Sequence, residues 1–219
     1  MYAIVRNVLL VYLALLPIVN PLGMAPIFAE MTLGYTDAIR RTVAMRVAVN
    51  GIALLVASLF IGSYILQFFG ISLAAVQIGG GLLVTVSGWK ILNKTNDLRD
   101  KQIDKPVTNE QILSQAFYPL TMPLTVGPGS IAVALTLGSN LHTETHLQLI
   151  VSALSAVMGI LFIAVTIFLC YWFSEALQRL LGPTGTSILI RLSAFILVCI
   201  GVEIVFNGLQ DFYHVLLKR

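Results

Sequence analysis

The chain has 219 residues, 58% of them hydrophobic and only 11% charged, with a formal net charge of +3. Soluble domains average about 25% charged residues, so this composition, with a mean hydropathy of +0.91, excludes a water-soluble fold and points to one embedded in a bilayer. No lysine- or arginine-rich run with interleaved aromatics is present, which excludes nucleic acid as a partner.

The charge-free stretches give the organisation. They run between Arg6 and Glu30, Arg46 and Lys90, Glu110 and Glu144, and Glu144 and Glu175. A membrane span needs about 20 apolar residues, so Arg46–Lys90 holds two spans joined at Gly70-Ile71-Ser72. The pattern predicts six transmembrane helices at 4–32, 44–68, 73–92, 117–138, 147–173 and 187–209. The run after Arg6 continues past Leu16 into an Asn-Pro break and has no A-x-A site, so it reads as a retained span and not as a cleavable signal. It is also too long for one straight helix along the membrane normal. At about 1.5 Å per residue it would exceed 40 Å, against a hydrocarbon core of about 30 Å.

Two apolar segments carry helix breakers. The first reads Pro17-Ile18-Val19-Asn20-Pro21-Leu22-Gly23, with Pro26 close behind. The second reads Pro123-Leu124-Thr125-Val126-Gly127-Pro128-Gly129-Ser130. A proline removes a backbone donor, and at membrane depth such a break is tolerated only where it is buried in protein or lines a cavity. Matched breaks in the two halves of a chain are the sequence pointer to the central site of a secondary transporter.

The halves also share weaker landmarks. Leu66-Gln67-Phe68-Phe69-Gly70 matches Gln178-Arg179-Leu180-Leu181-Gly182, Gln77 aligns with Arg191, and Thr32-Leu33-Gly34 with Thr136-Leu137-Gly138. The fold read from this is all-α and integral to the membrane. It consists of two three-helix repeats, 1–92 and 118–219, each with a broken first helix, joined by a charged linker at 93–117. Three spans are an odd number, so the second repeat enters from the opposite side and the symmetry is inverted. Lysine and arginine concentrate on the side of the linker, which places the linker in the cytoplasm and both termini outside.

Asn20-Pro21 and Gly127-Pro128 read as N-cap and first helical residue of two half-helices. Their free N–H groups face each other near the midplane, an arrangement that suits a carboxylate. Gly23, Gly127 and Gly129 allow a ligand to approach the backbone, and Asn20, Thr121, Thr125 and Ser130 offer hydrogen bonds. The alternative is a pair of kinked structural helices.

Charges at membrane depth are costly and usually functional. Arg191 is a candidate for the substrate carboxylate or a gate, or else reaches to the cytoplasmic interface. Glu203 is a candidate proton carrier, or else sits at the outer interface. Arg46 and Asn50 share a helix face, with Arg46 read as an interfacial anchor. Gly79-Gly80-Gly81, with Ser152, Ser155, Ala156 and Gly159, read as close helix packing. Cys170 and Cys199 read as small packing residues. His142-Thr143-Glu144-Thr145-His146 lacks the H-E-x-x-H order and a third ligand. No enzymatic motif, metal site or cofactor is indicated.

Asn20-Pro21-Leu22-Gly23-Met24-Ala25-Pro26-Ile27-Phe28 and Pro123-Leu124-Thr125-Val126-Gly127-Pro128-Gly129-Ser130-Ile131-Ala132 resemble the two signature segments of the MarC family, also described as SnatA-like neutral amino acid transporters. Phe69-Gly70-Ile71-Ser72 and Leu181-Gly182-Pro183-Thr184-Gly185 are similar to its other landmarks. The resemblance spans nearly the whole chain. It implies a multi-pass inner-membrane transporter of small neutral amino acids such as glycine and alanine, whose partners are the solute and the bilayer. One departure is Gln77, where the family pattern leads us to expect arginine. A passive channel, an exporter of small solutes and a non-transporting scaffold are the other classes. No motif specifies the coupling ion, the direction of transport or the oligomeric state.

The charge asymmetry predicts that cysteines placed at Asn96 and Leu217 lie on opposite sides of the membrane. An impermeant thiol reagent applied to intact cells should label Leu217→Cys and spare Asn96→Cys. Labelling of Asn96→Cys from outside would invert or dissolve this topology.

Overall fold

The computed structural model describes residues 2–93, 114–140 and 146–217, and every described element is helical. Four helices are long and apolar enough to cross a membrane, and two bent pairs bring the number to as many as six spans.

The first span is two helices, α1 (Tyr2–Val19) and α2 (Pro21–Met31), meeting at 43°. The bend arises at Asn20, whose backbone enters the left-handed region at φ 46°, ψ 54°. Helix α3 (Asp37–Phe69) starts on a Thr36 cap. It ends at Gly70, where φ is 66° and the Ile71 N–H closes onto the Leu66 carbonyl at 2.9 Å. Ser72 then caps α4 (Leu73–Leu92) by accepting from the Ala75 N–H. The predicted bounds of this span, 73–92, are those observed.

The fourth span also breaks. Its first part, α5 (Ala116–Thr125), is a wide irregular coil in which Tyr118 and Met122 leave helical geometry. Pro119 and Pro123 lie within it and lack the N–H groups a regular helix uses. The second part, α6 (Pro128–Asn140), leaves at 68°. Helix α7 (His146–Trp172) follows, then α8 (Ser174–Leu217), which turns sharply at Gly182, φ 66°, ahead of Pro183.

Two helices exceed their predicted length. Helix α3 begins seven residues before 44, because Thr36 and Asp37 open it well outside the apolar stretch. The last span extends beyond 187–209 in both directions, and its first turns, Ser174–Leu181, form a separate short helix before Gly182. Of the linker 93–117 only the two ends are described: Asn93 caps α4, and residues 116–117 already belong to α5. The remainder of the linker and His142–Thr145 lie outside the described residues.

Helices α3 and α7 pack on each other, with α1 against α7 and α5 against α3. Leu15, Val19, Phe28, Leu55, Ile160, Ile163 and Tyr171 form their common core. Helix α4 packs mainly on α8, while α2 lies on α8 and α6 on α4. The outer surface is strongly apolar, with Phe68 85% and Leu180 84% exposed, as a bilayer requires and water would penalise.

The α4–α8 contact is a seam of small residues. A Cβ at Gly81 would lie 2.7 Å from the Gly201 carbonyl oxygen, and one at Gly88 2.8 Å from that of Ala194. A Cβ at Gly208 would lie 3.0 Å from the Ala74 oxygen. As the α4 number rises by seven the α8 number falls by seven, so the helices run antiparallel with their backbones almost touching. Such packing replaces the hydrophobic force that lipid does not provide. Gly81→Leu should therefore lower stability by about 1–3 kcal/mol, read as a reduced unfolding temperature in detergent. An unchanged temperature would contradict the seam.

Candidate functional site

The first break is capped by its own asparagine. The Asn20 Oδ1 accepts from the Gly23 N–H at 3.2 Å, with Pro21 at the first helical position. The Asn20 backbone stays tied on both sides, through Asn20 N–H to the Leu16 carbonyl and Met24 N–H to the Asn20 carbonyl. The Asn20 Nδ2 is buried without a hydrogen-bond partner. A buried donor in that state is an available site for an acceptor.

The second break has no side-chain cap, because Gly127 has none to offer. Pro128 lacks an N–H, so the first-turn donors are those of Gly129 and Ser130, which no earlier carbonyl of the helix can satisfy. The Ser130 hydroxyl turns back to the Gly127 carbonyl at 2.9 Å. The two breaks meet: a Cβ at Gly129 would lie 3.6 Å from Ile18 Cγ2 in the last turn of α1.

Hydroxyls support the loosened coil of α5. Thr121 Oγ1 donates to the Ala116 carbonyl at 2.6 Å and receives from Asn50 Nδ2 of α3 at 3.4 Å. Thr125 Oγ1 bonds the Leu120 carbonyl at 2.6 Å and the Tyr171 hydroxyl at 2.7 Å. Tyr171, fully buried in α7, stacks on Phe28 of α2 with ring centroids 4.4 Å apart. One tyrosine thus links both broken spans.

The structure therefore sets the second break, with Gly127, Pro128, Gly129 and Ser130, against the last turn of α1 at Ile18, while Asn20, Pro21 and Gly23 lie at the first break beside Ser193 of α8 and Thr125 faces Tyr171. The space at two of the glycines is already occupied. A Cβ at Gly23 would overlap Ser193 of α8, and one at Gly129 would overlap Val84 of α4. Only Gly127 retains room, with the Pro123 carbonyl oxygen 3.2 Å away. Arg191 and Glu203 do not join the breaks. Both are exposed on α8, while Ser193, two residues from Arg191, is the α8 residue turned inward. Gln77 is buried and its Nε2 donates to Thr136 of α6 at 3.4 Å. Among the described residues no three His, Cys, Asp or Glu side chains converge to hold a metal.

The two ends of α3 differ. At its start, Arg40 is 4% exposed and pairs with Glu175 of α8 at 2.6 Å and with Asp37 at 3.2 Å. Its Nε reaches Thr32 Oγ1, and Tyr35 donates to Gln115 Oε1 at 2.6 Å. Burial raises the Tyr35 phenol above its usual range. At the far end of α3 lies a cavity of about 160 Å³ lined by Ser63, Leu66, Gln67, Ile71, Leu73, Leu135 and Ser139.

Sequence reasoning missed Ser193, Val84, Tyr171 and the Arg40–Glu175 pair. Tyr171 carried one usable signal, since a tyrosine hydroxyl deep in an apolar helix needs a partner.

These features define a polytopic helical membrane protein with paired broken spans meeting at its centre. The pattern described as MarC family integral membrane protein matches residues 5–213. The chain belongs to that family. It is 30% identical over 207 residues to the inner membrane protein MarC of Salmonella paratyphi B and to that of Escherichia coli, covering 91% of this chain and 94% of each relative. It is 29% identical to the membrane protein YvbG of Bacillus subtilis, covering 94% of this chain and 95% of the relative. No solved structure matches it.

The Asn20 geometry makes a stability prediction. Asn20→Gly keeps the left-handed backbone and should cost only a few tenths of a kcal/mol. Asn20→Ala loses the cap and strains the backbone, together about 2–3 kcal/mol. Denaturant unfolding in micelles compares them, and equal stabilities would remove Asn20 as the local determinant of the bend.

Proposed function

We propose that this protein is a secondary transporter of small neutral amino acids, glycine- or alanine-like, held where the two broken spans meet. The observation that carries this reading is the approach of the two breaks, the α6 start at Gly129 lying against Ile18 of α1, together with an Asn20 Nδ2 that is buried and unpaired at the first break. Backbone N–H groups at a helix start attract a carboxylate. The side chains gathered there carry no net charge, which fits a zwitterion better than a cation or a dianion. The room left at Gly127, with Ser193 and Val84 filling the other two glycine gaps, favours a small solute.

The packing supports an inverted repeat. Exchanging α1–α4 with α5–α8 preserves each principal pairing: α1 on α7 becomes α5 on α3, and α2 on α8 becomes α6 on α4. In this reading 1–92 and 118–219 are the two repeats, the linker is cytoplasmic, both termini face outside, and the membrane is the inner membrane named for the relatives. The Arg40–Glu175 end is then the closed cytoplasmic side, and the cavity at Ser63 is a vestibule on the outer side. Coupling is left to a group other than Glu203, which faces away from the breaks.

The test is uptake of labelled glycine or alanine into proteoliposomes, with and without an imposed proton gradient. Saturable, protein-dependent uptake of these solutes is expected. Uptake no faster than in empty liposomes under any gradient would overturn the reading.

A further inference from the structure

Glu203 is unexplained by the breaks. It lies on the exposed side of α8, and none of the described residues pairs with it. The seam fixes its depth. Gly208 stands level with Ala74 at the start of α4, and α4, about 30 Å long, matches the hydrocarbon core. Glu203 therefore sits more than one helical turn inside the outer boundary. Arg191 lies about 18 Å further along the same helix and cannot neutralise it. A carboxylate facing lipid tails finds no donor there and is strongly disfavoured.

The surroundings of Glu203 are patterned. Leu192, Ile196, Cys199, Glu203, Phe206 and Gln210 are all exposed and are spaced four, three, four, three and four residues apart. They form the centre of a broad exposed side of α8 that also holds Phe195, Val202 and Leu209, and their spacing suits a helix–helix seam. Asn207, also exposed, stands one turn beyond Glu203 on the same side. Each chain thus offers an acceptor and, one turn away, an amide donor.

We propose that this outer wall of α8 is the contact surface for a second copy of the chain in the same membrane orientation, with each Glu203 bonded to Asn207 of the other copy. A two-fold axis along the membrane normal brings the stripe to its own depth and makes the donor–acceptor match reciprocal. Lipid supplies no such donor, whereas the Asn207 amide of a second copy stands one turn, about 6 Å, along the axis from Glu203, within reach of the two side chains together. The proposal is independent of what the protein transports.

The native cysteines test it. Cys199 lies on the stripe one turn from Glu203, whereas Cys170 is half-buried on α7. Membranes holding the full chain are oxidised with copper phenanthroline and run without reductant. A species of twice the 23.8 kDa chain mass is expected from wild type and from Cys170→Ser, and none from Cys199→Ser. Glu203→Leu should lower its yield about tenfold, whereas Glu203→Gln, which still bonds an amide, should retain it. Light scattering of the purified protein in mild detergent should give two chains for wild type and one for Glu203→Leu. A single-chain mass for wild type, a cross-link that survives Cys199→Ser, a Cys199 adduct of another mass, or an unchanged yield in Glu203→Leu would each overturn the proposal.

Discussion

No water in the hydrocarbon core can satisfy a free backbone group, and the architecture follows from that constraint. Two spans are interrupted at Asn20–Pro21 and across Pro119–Pro128, so these are the places where the protein must supply partners. It does so locally. Asn20 answers the Gly23 N–H, and Thr121 and Thr125 answer the carbonyls of Ala116 and Leu120. Gln178 reaches the Pro26 carbonyl at 3.0 Å. At the first break one buried side-chain donor is left unanswered, the Asn20 Nδ2, and at the second the first N–H groups of α6 have no carbonyl of their own helix to bond. A ligand site in a membrane protein is such a residue of unsatisfied polarity, enclosed well enough to persist.

Enclosure depends on the α4–α8 pair. Its glycine seam locks two helices together, and each lays a side chain into a glycine gap at one break, Ser193 over Gly23 and Val84 over Gly129. Val198 and Val205 of α8 and Ile78 and Thr85 of α4 fill the positions opposite the seam glycines.

Much of this was legible in the sequence where the determinant is local. The breaks follow from Asn, Pro and Gly chemistry within a few residues, and the bounds of α4 follow from Ser72 and the charge at Lys90. The start of α3 was hidden because its first turns, which carry Asp37, Arg40 and Arg41, precede the apolar stretch. Arg40 is in fact buried, and its partner Glu175 lies far away in sequence. The glycines at the breaks were legible as gaps, but their occupants were not, since Ser193 and Val84 arrive from other spans. Arg191 and Glu203 show the same limit: sequence fixes depth along a helix, whereas Gly201 and Gly208 fix which way the helix turns.

The central claim is that a small solute binds where the two broken spans meet. Equilibrium binding of labelled alanine to the purified protein, wild type against Gly127→Val, tests it most directly. A Cβ at Gly127 meets only the Pro123 carbonyl oxygen, at 3.2 Å, which must yield slightly, so the fold should persist while the space beside the α6 start is filled. The account predicts saturable binding to wild type and its loss in Gly127→Val at nearly unchanged thermal stability. Equal binding by both proteins, or none by wild type, would contradict it.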